Sequence, residues 1–338
     1  MDAAVEGDVR RGTLDRHRRR VLVAVAGCIA LLSLDAGAQR PTKTYRIALL
    51  DMGQPDPRSA LWEELRRRGY VEGQNLVIER RNAQGRRDLL PALAGELVAL
   101  HPDVIVASQQ PATRAAKDAT STVPILFIGV ADPVGVGLVT SLAHPGGNLT
   151  GLTTLVPGHT ATKSLQLLHE MVPSAKRIAM LVNPTNEVHR IVQQEALQAA
   201  PQLGVRLQVH EAQTPDEIEP ALRAAVSDRA EALVVVGEAL FNNPPARVPE
   251  LVARVRLPAI YLLRANVEAG GLMSSGPDLV DMSGRLAAYI DRILKGANPG
   301  DLAIQQPMKF QVVINRKTAK SLGLTIPQSL LLTAEIID

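Results

Sequence analysis

The sequence predicts an α/β protein made of two doubly wound parallel-sheet lobes. Three observations lead there. Short, almost wholly apolar runs alternate with longer amphipathic ones, the pattern of a parallel sheet covered by helices on both faces. The alternation fills the first half of the chain and restarts beyond residue 160. The 338 residues, 46% of them apolar, suffice for two cores of ordinary size.

The elements follow in order. "YRIALLDM" (45–52) reads as a strand, and "SALWEELRRRGY" (59–70) places Leu61, Trp62 and Leu65 at helical spacing before Gly69 ends the helix. "NLVIERRNA" alternates like a strand and "RDLLPALAGELVAL" (87–100) is helical. "DVIVAS" (103–108) is a strand, "PATRAAKDAT" (111–120) a helix opened by proline, and "PILFIGV" (124–130) a strand. In the second half, "TATKSLQLLHEMV" is helical, "KRIAMLVN" (176–183) a strand, and "NEVHRIVQQEALQAAPQLG" a helix stopped at Gly204. The strand "VRLQVHEA", the helix "PDEIEPALRAAVSD", the strand "EALVVVGEA" (231–239), the helix "RVPELVARVR" and the strand "PAIYLL" (258–263) complete it.

The first forty residues follow other rules. A basic segment, "RHRRR" (16–20), precedes the apolar run "VLVAVAGCIALLSL" (21–34) and a small-x-small site at Ala36-Gly37-Ala38. Together they predict a secretory signal peptide over 1–38, cleaved after Ala38, and hence a periplasmic protein. "VAGC" also resembles a lipobox, which would anchor the chain at Cys28, but the apolar run continues beyond it. Cys28 is the sole cysteine, so an internal disulfide has no partner thiol.

Charge and composition exclude some functions. With 37 basic against 34 acidic residues and 2% aromatics, neither a basic patch nor a stacking platform for nucleic acid is expected. The glycine-rich stretch "ADPVGVGLVTSLAHPGGNLTG" (131–151) fails as a phosphate loop: Thr140 follows Gly135 and Gly137, and no lysine occurs from 118 through 162. It reads instead as a short apolar helix, "GLVTSLA", and a turn leading to a flexible hinge.

Ligands of open parallel sheets bind at the carboxyl ends of the strands. Those ends here are polar: Asp51; Ser108, Gln109 and Gln110; Asp132; Asn183; and Glu238. Pro111 at a helix start leaves the amides of Ala112 and Thr113 unpaired, which suits a carboxylate. Asp132 and Glu238 suit an ammonium or hydroxyls. Catalytic signatures, cofactor loops and metal-binding histidine spacings are missing. Binding is therefore expected rather than catalysis, with no cofactor and no metal.

The long segment "VEAGGLMSSGPDLVDMSGRLAAYIDRILKGANPGDLAIQQPMKFQVVINRKTAKSLGLTIPQSLL" (267–331) resembles the ABC-transporter substrate-binding family that includes tryptophan- and tyrosine-type binding proteins. So do "GYVEGQNLVIERRNA", "LPALAGELVALHPDVIVA", "ADPVGVGLVTSLAHPGGNLTGL" and "LPAIYLLRANVEAGGLMS". The resemblance implies a type I periplasmic-binding-protein fold, with lobes joined by a three-strand hinge. Lobe 1 would comprise 44–152 plus 270–300 and lobe 2 158–264 plus 308–338. Crossovers are expected near 151–158, 264–270 and 300–310, with Gly151 and Arg264 as hinge residues. It further implies a monomer that delivers a small solute, an amino acid or related small acid, to an ABC permease and its ATPase. Alternatives are a sensing partner of a membrane receptor and an enzyme on the same fold.

The chain departs from the family at three places. The family commonly reads "SYG" where this chain has Ser274-Ser275-Gly276, and often "GTPA" where it has "SQQPA". A carboxylate followed by proline is replaced by Glu238-Ala239. Ser274 and Ser275 are expected to line the cleft, and losing the tyrosine predicts a smaller or more polar ligand.

Overall fold

Strands made almost entirely of Val, Ile, Leu and Ala form here because both sides of each are covered. The computed structural model describes residues 43–53, 59–154, 156 and 160–338. The expected signal peptide, its cleavage site after Ala38, Cys28, and residues 155 and 157–159 of the first expected crossover lie outside the described residues.

Five parallel strands form the first sheet: β1 (Tyr45–Asp51), β2 (Leu76–Asn82), β3 (Val104–Ser108), β4 (Ile125–Val130) and β5 (Leu149–Thr153), in the order β2-β1-β3-β4-β5. Alternate residues feed two cores. Ile47, Leu49, Val104 and Val106 pack under the helices Ser59–Arg67 and Leu279–Leu294. Ala48, Leu50, Ile105 and Phe127 pack under Leu90–Ala99 and Gln109–Ala119.

The second sheet has seven strands: β6 (Arg177–Val182), β7 (Arg206–Glu211), β8 (Ala232–Val235), β9 (Ala259–Tyr261), β10 (Met273–Pro277), β11 (Phe310–Asn315) and β12 (Glu335–Ile337). Their order is β12-β11-β10-β9-β8-β6-β7. All pairs are parallel except β10 with β11. Its two faces are covered by Thr160–Met171 with Glu187–Ala199, and by Ile218–Ser227 with Arg247–Val255. Each sheet reverses strand order once, between β1 and β3 and between β6 and β8, and a doubly wound sheet opens its ligand crevice there.

The structure redraws the lobe limits. Residues 273–277 belong to the second sheet, not to lobe 1, because β10 pairs with β9 and β11. The second crossing falls between Pro277 and Leu279, where Asp278 caps the returning helix by accepting from the amides of Val280 and Asp281. Before the third crossing, Gln305 is still tied to β5: Thr153 N donates to its carbonyl at 2.9 Å and its own amide donates to Gly151 O at 3.1 Å.

Neither residue expected to act as a hinge sits at a crossing. Gly151 lies in mid-β5 opposite Phe127, and an added Cβ would collide with the Phe127 carbonyl and ring. Close packing, not bending, requires glycine there. Arg264 starts the short helix Arg264–Glu268 and bridges Glu268 and, at 2.6 Å, Glu335 of β12. It fastens the second sheet to itself.

The glycine-rich stretch is also no hinge, and "GLVTSLA" is not helical. Lys117 Nζ donates to the carbonyls of Gly137 (3.1 Å) and Leu138 (2.7 Å), and Arg114 Nη2 donates to Val136 O. Leu138 and Val139 are buried in the first lobe. Two cations from one helix thus bind this loop to its own lobe.

Candidate functional site

The switch points of the two sheets face one cavity of about 510 Å³. Ligand clefts usually fall between 300 and 1,000 Å³. From the first lobe come Asp51, Ser108, Gln109, Gln110, Pro111, Arg87 and Arg114; from the second come Thr185, Asn186, Glu238 and Asn242. Apolar wall is supplied by Ile128, Val136, Val188, Leu262, Leu263 and Leu279. Among the described lining residues none is aromatic. Ala131 and Val136 also pack against the second lobe's core and Ala239 against the first's, so the lobes touch at the cleft edge.

The first wall is built on the helix Gln109–Ala119. Ser108, still extended, precedes it, and the first turn borders the cavity. Gln109 has φ of 70°, the left-handed region that costs a non-glycine residue about 1 kcal/mol or more. Opposite it, Gly129 has φ of 83° at a register shift in β4, and a Cβ there would lie 3.5 Å from the Gln109 amide. The side-chain Oε1 of Gln109 is buried without a hydrogen-bond partner. Gln110 and Arg114, four residues apart, share the helix face turned to the cavity.

The second wall is organised around Glu238. Its carboxylate accepts from Asn183 Nδ2 at 2.8 Å and from Asn186 Nδ2 at 2.9 Å, and its side chain is only 5% exposed. Asn186 also caps its helix by accepting from Val188 N. The Asn183 amide donates to His189 Nδ1 at 2.8 Å, which places the imidazole proton on Nε2, 3.8 Å from Glu238 Oε2. Burial holds the His189 pKa below its ordinary value, and the opposing pull of Glu238 is the smaller effect. His189 is therefore neutral, stacked on Phe241 with centroids 6.2 Å apart.

The expected site residues separate into two groups. Ser108, Gln109, Gln110 and Glu238 border the cavity. Asn183 lies just behind it as a partner of Glu238, its Oδ1 accepting from Thr185. Ala112 and Thr113 are fully buried and face the core; Thr113 Oγ1 donates to Gln109 O at 2.8 Å. Asp132 does not line the cavity: its Oδ1 accepts from Gly135 N at 2.9 Å and shapes the loop. Ser274 and Ser275 are buried in β10 away from the cavity, because this strand stands in the sheet interior between β9 and β11. Their exchange for a tyrosine therefore gives no direct reading of the cleft.

Residues not expected to contribute include Arg87, Arg114, Asn186 and Asn242. The helical repeat from Gln110 points to Arg114, and Asn186 follows from its place as a helix cap after "NPT". No local signal marks Arg87. Among the described residues no group of three or more His, Cys, Asp or Glu is placed to hold a metal.

A family model described as ABC transporter substrate binding protein matches residues 54–337. A tyrosine-binding protein of Clostridioides difficile is 28% identical over 258 residues, covering 76% of this chain and 73% of that protein. Among solved structures, a conserved domain protein of Vibrio cholerae is 28% identical with a TM-score of 0.80, over 88% of this chain and all of that one. An ABC domain of Streptococcus pneumoniae in complex with L-Trp is 26% identical with a TM-score of 0.79, over 87% and 100%.

Proposed function

The chain belongs to the ABC transporter substrate-binding protein family, and from that premise we propose that it captures an amino acid or related small acid in the interlobe cleft for import. The fold is that of type I periplasmic binding proteins. The observation that carries the proposal is a single cavity bordered by polar groups of both lobes, at the strand-order reversals of both sheets. A solute touching both walls stabilises the closed arrangement over the open one, because only the closed form makes every contact. The helix start at Gln109–Pro111, with the Gln110 amide, holds the carboxylate. Glu238 and Asp51 attract the ammonium from opposite sides. The names of the relatives, one a tyrosine-binding protein and one a complex with tryptophan, support the amino-acid class.

Export by the leader, release after Ala38 into the periplasm, action as a monomer and delivery to a permease and its ATPase complete the proposal. A thermal-shift screen of the purified protein against amino acids, small acids and sugars tests the central step. An amino acid at about 100 times its Kd should stabilise the fold by about 2.7 kcal/mol. A rise with sugars alone, or with no amino acid or small acid, would overturn the reading.

A further inference from the structure

The charged groups of the cleft are unevenly engaged. Glu238 already accepts from two asparagine amides and faces a neutral imidazole. Asp51 is 7% exposed and has an interaction of its own. The two arginines differ. Among the described residues the Arg87 side chain has no partner, and Arg114 uses one of its five N–H donors, on Val136 O. That bond anchors one nitrogen of the Arg114 guanidinium before a ligand arrives, so part of its side-chain freedom is already spent. Around these cations the described wall is aliphatic, and among the described lining residues no ring stands to stack against a tyrosine or tryptophan side chain.

We infer that the preferred ligand is an aliphatic amino acid with a second carboxylate, and that Arg114 is the residue that selects it. The inference rests on the amino-acid reading of the cleft. The α-carboxylate lies at the helix start, and the side-chain carboxylate meets the open donors of Arg114 one turn further along the same helix. A guanidinium fork matches a carboxylate through two parallel hydrogen bonds, which a neutral amide cannot reproduce. Arg87, on a separate element of the same lobe, adds positive potential. The chain thereby differs in ligand class from relatives named for aromatic amino acids.

Calorimetric titration of L-glutamate and L-aspartate against L-glutamine, L-asparagine, L-tyrosine and L-tryptophan provides the test. At least one acid should bind about 10- to 100-fold tighter than its own amide. Arg114→Gln should abolish that ratio by weakening the acid, with the Kd of the amide changing less than about 3-fold. Should Arg114→Gln fail to melt cooperatively, Arg114→Lys keeps the charge and loses the fork, and a reduced ratio is expected. An amide or aromatic amino acid binding as tightly as the acids, or an unaltered ratio in a folded variant, overturns the inference and leaves the amino-acid reading standing. Binding of none of the six overturns the inference; if the screen above also finds no amino acid or small acid, that reading falls with it.

Discussion

The two walls of the cleft solve opposite problems. The wall of the second lobe is largely closed on itself: Glu238 holds the side-chain amides of Asn183 and Asn186, the Asn183 backbone amide donates to His189 Nδ1, and only the His189 Nε2 proton lacks a partner within hydrogen-bond reach. The wall of the first lobe is left open, with a strained Gln109, its buried and unpaired amide oxygen, a half-buried Arg114 with open donors and an exposed Arg87 at the rim. Buried polar groups are costly unless paired, so unpaired ones persist where something else completes them. The contrast assigns recognition to the first lobe and a preformed backstop to the second.

The contrast can be broken most directly at Glu238. Glu238→Ala should strand the amides of Asn183 and Asn186 and cost about 2–4 kcal/mol. The melting midpoint should fall by about 3–6 °C in calorimetry. An unchanged midpoint would mean that the second wall is not self-supporting.

Gly151→Ala asks whether the first wall stands on a stiff plate. Collision with Phe127 should destabilise by about 1–3 kcal/mol. A variant of unaltered stability but altered affinity would instead restore Gly151 as a bending point. A smaller effect of opposite sign is expected for Gln109→Gly, which relieves the left-handed strain and should stabilise by about 1 kcal/mol. A lower midpoint would refute the strain argument.

The smallest effect concerns pH. His189 and His210 both titrate below the ordinary value of 6.5, chiefly through burial. Between 6.5 and those lower values the unfolded chain holds the extra protons, so stability should decline as pH falls through that window. Melts from pH 7.5 to 5.5 should show the decline, and a flat profile would argue against neutral buried imidazoles.

Much of the architecture was legible because a parallel sheet writes itself as continuous apolar runs, as in "IAMLV" and "LVVV". The lobe limits were less so. β10 stands between β9 and β11, and its antiparallel partner β11 comes nearly forty residues later, a pairing that leaves no local trace. The glycines of 131–147 suggested freedom, while the order of that loop comes from Lys117 and Arg114 in another element. Strand-end reasoning found Gln110 and Glu238. It failed for Asp132, whose carboxylate turns back on Gly135, because which way a turn residue points depends on the turn's own backbone amides.

The sheet order has a consequence for biogenesis. The helix 279–294 that covers the first sheet is made after β6–β10, and the last two strands of the second sheet come later still. Neither half can finish before residues 279–337 have been made, since each lacks a piece supplied by that segment. A truncation before Leu279 should leave both halves incomplete at once, so such fragments should be degraded as wholes and not persist as one intact half.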